Sequence, residues 1–408
     1  MLLLTSCFLL SFTVGYFVKD KIYLGTLDPL KILAFQEAAW VCTVFSLFIE
    51  GLLTEAQVLI FAITIILWWI WWAVFANIFG EKYKKATLVA WKRLAKLSKF
   101  EFKVVFWLYL ISSGILLLTT IIYGGGGDDR LAVLKLIRPL EGFITLLAPL
   151  VFFKLVMENG RYKWVIISML ICMTIISGGK SAILILLLPL TLLQLIGHIQ
   201  FGVVKILGVF LILMMGVSIS ILINYGATSP IEIFNIFFHR LMMEGDIYIL
   251  ALANNGIDFV QVKSLFYYIF SPIMKISGLN IELDKNIGSQ IASGIVGFDV
   301  PTGPNGHWPV LLIAYDYNSL VSVVAISSLL FVAIFMLKMN FLSARYSQKL
   351  PIYFLAPVCG FLLQFPQTFF ADPPLQFIYL VHVFLVSFVL LIVYELSYIG
   401  AFKVDKYV

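Results

Sequence analysis

EKYKKATLVAWKRLAKLSK, residues Glu81–Lys99, is the stretch from which the rest of the chain can be oriented. An apolar run ends just before it, near Phe79, and another opens just after it, near Val104. Short connecting segments dense in Lys and Arg stay on the cytoplasmic side of a membrane. The segment therefore reads as a cytoplasmic loop between two membrane spans.

Working outward, apolar runs of spanning length recur along the whole chain. They lie near 2–18, 32–53, 56–79, 104–123, 139–156, 164–177, 182–199, 203–223, 319–338, 350–370 and 375–394, about eleven in all. Alternating from Glu81–Lys99, the basic loops holding Lys19 and Lys21, Arg161 and Lys163, and Lys338, Arg345 and Lys349 all fall inside, as do Lys403 and Lys406. The expected N-terminus is periplasmic and the expected C-terminus cytoplasmic. Leu2–Phe17 has no basic flank before it and no small-residue cleavage site, so it reads as a retained span.

Composition agrees. Of 408 residues, 62% are hydrophobic and 12% charged, against roughly 25% charged in soluble domains, and the mean hydropathy is +1.02. The expected fold is an all-α polytopic membrane protein, residues 1–408 forming one integral membrane domain. Its net charge of +6 sits in short loops, so it marks topology rather than nucleic-acid binding. Cys7, Cys42, Cys172 and Cys359 are scattered through apolar runs and suggest neither a disulfide framework nor a metal site.

The outer face receives Gly124–Arg130, the turn Ser177–Ala182, and one long loop over residues 224–308. Within that loop IFNIFFHRLMMEGDIYILALA and SLFYYIFSPIMKI are apolar but short, as expected of helices lying on the membrane surface. His307 closes the loop, and Pro309 suits the first position of a helix. A continuous helix from Pro309 to Lys338 would run ~45 Å, too long for a ~30 Å core. The polar break around Asp316 thus separates an interfacial helix from the span proper.

Several cations share this face. Trp164–Ser177 would be only ~21 Å long as a helix, which sinks Lys180 slightly into the outer leaflet. Arg130 and Arg138 flank the fifth span, and Arg240 lies in the long loop with Asp246 six positions on. Each reads as a snorkelling or ion-paired interface residue when taken singly. Taken together, they suit a lipid-linked polyanion such as a diphosphate. No carboxylate cluster has metal-ligand spacing, so no metal or other cofactor is expected.

Here the chain resembles the bacterial O-antigen polymerases and the related O-antigen ligases, many-span GT-C-like membrane proteins with one long periplasmic loop. In the ligase-like form a histidine at the end of that loop is followed by Asn, then by Leu four, an acid nine and Gly eleven positions on. His307, Leu311 and Asp316 match, while Trp308 and Asn318 depart from the pattern. Gly179–Lys180–Ser181–Ala182 is similar to a small-residue basic turn of the family, and Arg240 with Asp246 to an Arg-containing loop helix.

The resemblance implies periplasmic glycosyl transfer between two undecaprenyl-diphosphate-linked oligosaccharides, a donor and an acceptor. His307 and Arg240 would be catalytic; Lys180, Arg240, Arg138 and Arg130 would hold the diphosphate. Asp316, Asp246 and Trp308 would orient or bind sugars. A chain-length regulator and a flippase are candidate partners beside the lipid bilayer. A ligase handing glycan to lipid A core is the alternative, and a flippase or other transporter is the alternative from another class. Transporters favour paired broken helices in two matching halves, and no halves are visible in this sequence.

Overall fold

The computed structural model describes residues 2–25, 28, 30–122, 128–157, 189–198, 229–233, 249–261, 287–299, 349–371 and 373–404, together with single positions and pairs between them. Among these residues the regular structure is entirely helical. Three helical stretches, Glu55–Ala95, Lys99–Thr119 and Ile378–Leu396, are long and apolar enough to cross a membrane. Helices suit such sequences because every backbone N–H and C=O is satisfied within the segment.

In chain order the longer helices are α1 (Leu2–Phe17), α2 (Leu30–Ile49), α3 (Glu55–Ala95), α4 (Lys99–Ile122), α5 (Asp128–Met157), α6 (Ile287–Val296), α7 (Ile352–Ala371) and α8 (Pro373–Val404). The expected spans at 2–18, 32–53, 56–79, 104–123, 139–156, 350–370 and 375–394 each coincide with one of these helices. Those near 164–177, 203–223 and 319–338 lie outside the described residues or nearly so, as do residues 182–188 of the span expected at 182–199.

The main departure is Glu81–Lys99. It is not a loop: α3 continues through it to Ala95, 41 residues in all and about 60 Å long. After Gly80 the segment contains no Gly or Pro and is rich in Lys, Glu, Ala and Leu, all good helix formers. It is also amphipathic. Gly80, Tyr83, Thr87, Ala90, Trp91 and Leu94 are buried at three- and four-residue steps, while the lysines occupy the other face.

Capping signals set the ends. Thr54 and Gln57 form a reciprocal capping box at the start of α3, with Gln57 N–H donating to Thr54 Oγ1 at 3.3 Å and Thr54 N–H to Gln57 Oε1 at 2.8 Å. Ser98 and Glu101 repeat the arrangement at α4, so only a short turn separates the two helices.

α1 packs along α2, and α7 packs on both α8 and α5; α4 packs on α5 and touches α8. Close approach depends on small residues, as in membrane bundles generally. Gly360 on α7 lies against the backbone carbonyl of Leu146 on α5, and any Cβ there would collide with it. Gly142 on α5 lies under the His382 ring of α8, whose Cγ would be 2.5 Å from an added Cβ.

The polarity of α5 relative to α3 follows from two contacts. Lys154 Nζ donates to the Ala95 carbonyl at 2.7 Å, and the Trp91 and Phe153 rings meet edge to face at 5.0 Å. The C-terminal ends of α3 and α5 therefore lie together.

Parts of the long loop join the same core. Ala251 and Leu252, in a π-helical turn at Ile249–Ala253, are buried, as are Ile287 and Ile291 of α6. The π-helical turn contacts α2. α6 was not anticipated from the sequence. Its apolar stripe is broken by Gly288, Ser289, Gln290 and Ser293, which resemble loop residues when read in order.

Candidate functional site

A fully buried polar cluster lies between α1, α2 and α3. Glu37, the eighth residue of α2, sits about 10 Å in from the start of that helix. Three donors converge on it. Lys19 Nζ reaches Oε2 at 2.6 Å, Trp69 Nε1 reaches Oε2 at 3.0 Å, and Trp68 Nε1 reaches Oε1 at 2.7 Å. Lys19 also donates to the Gly15 carbonyl at 2.8 Å and lies 5.4 Å from the centre of the Trp72 ring, a cation–π distance.

Neither Lys19 nor Glu37 has any solvent exposure. A lone buried charge would cost several kcal/mol; here each is paired and hydrogen-bonded. The helices are shaped to allow it. A Cβ at Gly15 would fall 2.5 Å from Glu37 Oε2, so glycine is what admits the carboxylate. The cluster is a closed clamp setting the register of three helices, with no opening through which substrate could reach it. Lys19, read from the sequence as an open loop cation, is one half of this clamp.

The turn joining α1 to α2 is built on buried polar groups as well. Asp28 Oδ2 accepts from Leu24 N–H at 2.5 Å and Oδ1 from Leu30 N–H at 2.8 Å. Burial nevertheless dominates and pushes the Asp28 carboxyl up to about 6. Burial, reinforced by Glu37 and Asp28, also raises the Tyr23 phenol. Lys21 Nζ donates to Asn77 Oδ1 at 2.6 Å, and Lys84 Nζ reaches the Asp20 carbonyl at 3.5 Å, tying this turn to α3. Gly80 permits the contact, because a Cβ there would lie 2.7 Å from the Lys21 carbonyl.

A cavity of about 220 Å³ opens between the ends of α3, α4, α7 and α8. Arg93, Glu101, Tyr353 and Tyr394 line it beside aliphatic Val104 and Leu390. It lies at the basic end of α3, the end expected to face the cytoplasm.

Of the site residues expected from the sequence, His307, Trp308, Asp316, Arg240, Asp246 and Lys180 lie outside the described residues. Arg130 and Arg138 are on α5, in the N-terminal half of one continuous helix, Asp128–Met157, ahead of its apolar part Gly142–Met157. Counting back from Lys154, Arg138 is ~24 Å and Arg130 ~36 Å along the axis from the basic end of α3. Among the described residues, no group of three or more His, Cys, Asp or Glu could hold a metal ion.

Sequence reasoning missed Glu37, although the signal was available. It is the only acid in Leu30–Ile49, and an acid inside an apolar run calls for a named partner. No family model, curated protein or solved structure matches the chain.

Proposed function

We propose that this chain is a metal-independent glycosyltransferase of the bacterial inner membrane, polymerising undecaprenyl-diphosphate-linked oligosaccharide repeat units into O-antigen or a related surface polysaccharide. About eleven spans and one long periplasmic loop complete the proposed architecture. The observation that supports it best is the polarity of α5. With its C-terminal end held at the basic end of α3 by Lys154, the positions of Arg138 and Arg130 lie ~24 Å and ~36 Å back along α5 from that end. That separation from the basic end supports reading Arg138 and Arg130 as cations of the opposite face.

In this reading the leaving lipid diphosphate is stabilised by Lys180, Arg240, Arg138 and Arg130, with preorganised cations doing what a metal does elsewhere. His307 takes the proton of the acceptor hydroxyl; an ordinary imidazole titrates near ~6.5, suited to base work at neutral pH. Asp316 or Asp246 orients the imidazole or the sugar, and Trp308 stacks on a ring.

The test is the lipopolysaccharide gel pattern of a deletion strain. Core bearing a single repeat unit, restored to a ladder by the wild-type gene, is the expected result. Core with no repeat at all would assign the chain to ligation or flipping instead. The face of the membrane on which lipid-linked glycan accumulates would separate those two.

A further inference from the structure

Cys7 on α1 and Cys42 on α2, scattered when read along the chain, meet in the fold. Cys42 Sγ donates to the Leu4 carbonyl at 3.5 Å, one turn before Cys7, which sets the two cysteines on facing turns of the packed helices. The helices carrying them are closely apposed. Ala34, Ala38 and Ala39 are fully buried, the Phe8 and Phe35 rings meet at 5.1 Å, and a Cβ at Gly15 would lie 3.6 Å from Cα of Ala34. Small residues that bring two backbones this near also bring facing cysteines toward the Cα separation a disulfide needs, usually ~4.4–6.8 Å.

We propose that Cys7 and Cys42 form an oxidisable dithiol that closes into a reversible intramolecular disulfide joining α1 to α2. Cys7 is partly exposed and Cys42 is buried, which assigns the order of attack. The Cys7 thiol loses its proton and its sulfur attacks an external disulfide, forming a mixed disulfide and releasing one thiolate. Cys42 sulfur then attacks Cys7 sulfur, breaking the mixed disulfide and releasing the second thiolate. Two S–H bonds and one external S–S bond break, one internal S–S bond forms, and the two protons end on the released thiols. The external disulfide is the oxidant.

The position gives the bond a purpose. Cys7 is the sixth residue of α1 and Cys42 the thirteenth of α2, about 8 Å along α2 from the Glu37 end of the clamp. On the sidedness expected from the basic segments, Cys7 lies in the half of its span nearer the periplasm, the side on which disulfides persist.

The experiment uses the full chain in membranes, with Cys172→Ser and Cys359→Ser removing the other thiols. Membranes are treated with dithiodipyridine, an apolar disulfide able to reach a lipid-facing thiol, then washed, acid-quenched, denatured and labelled with a polyethylene-glycol maleimide. The expected result is no added label, and a single non-reduced peptide pair containing Cys7 and Cys42 by mass spectrometry. Labelling of both thiols should return after reduction, and Cys7→Ser should abolish the linked pair. Two separate pyridyl adducts without a linked pair would overturn the proposal, as would a cross-link between two chains. The same peptide mass measurement on the wild-type protein keeps the test valid if the serine variants fail to accumulate.

Discussion

Lys19 and Glu37 form an ion pair at 2.6 Å with neither side chain reached by solvent. Breaking a buried pair from one side leaves an uncompensated charge and costs about 3–5 kcal/mol. Lys19→Ala and Glu37→Ala should each lower the Tm of the detergent-purified protein sharply. The double variant Lys19→Met with Glu37→Leu should lose much less than the sum of the singles, because the stranded charge is gone. Additive losses would show that the pair is not coupled as drawn.

Asp28 gives stability a pH dependence of definite sign. Its carboxyl is raised from an ordinary 3.8 to about 6 in the fold, so the folded state holds the proton more tightly. The contribution is full below about pH 4 and is lost as pH rises through about 6, amounting to roughly 3 kcal/mol at ~1.4 kcal/mol per unit. Unfolding measured across this range should show stability falling with rising pH. Asp28→Asn removes the titrating proton and should flatten that slope, at the cost of one of the two hydrogen bonds, since its single oxygen can accept from only one of the Leu24 and Leu30 N–H groups.

Glycine substitutions separate packing from backbone entropy. Gly360→Ala drives a methyl into the Leu146 carbonyl and should destabilise by about 1–3 kcal/mol. Gly114 has nothing within 4 Å of its Cβ position, so Gly114→Ala in α4 should be neutral or stabilising by up to ~1 kcal/mol. Thermal unfolding of the two variants side by side checks the contrast.

Sidedness is open to a labelling test. With a membrane-impermeant maleimide on spheroplasts, Gly126→Cys should react from outside. Lys96→Cys, at the exposed C-terminal cap of α3, should react only after permeabilisation. Labelling of both from the same side would contradict the orientation built on the basic segments.

For the proposed polymerase, loss of a charge-stabilising cation costs about 10²–10³-fold in rate. Arg240→Ala and Lys180→Ala should therefore collapse the lipopolysaccharide ladder, and His307→Ala should reduce polymer by about 10²–10⁴-fold. A full ladder from normally expressed His307→Ala and Arg240→Ala would remove those residues from the chemistry.

By itself the sequence determined that this chain is built of apolar helices, and where many of them run. The apolar content of Leu2–Phe17 or Lys99–Ile122 is a property of consecutive residues, and in a membrane a consecutive apolar run can satisfy its backbone only as a helix. The extension of α3 through Glu81–Ala95 was legible in principle, because helix formers and a buried stripe at helical spacing are both present; the density of charge drew the reading toward a loop. Only the tertiary structure decided that Lys19 pairs with Glu37, that Cys7 meets Cys42, and that Arg130 and Arg138 share one helix pointing away from the basic end of α3. Those facts depend on how helices cross and slide against one another. Helix crossing is set by side-chain shape, by glycines such as Gly15 and Gly360, and by contacts between residues far apart in the chain, none of which hydropathy encodes.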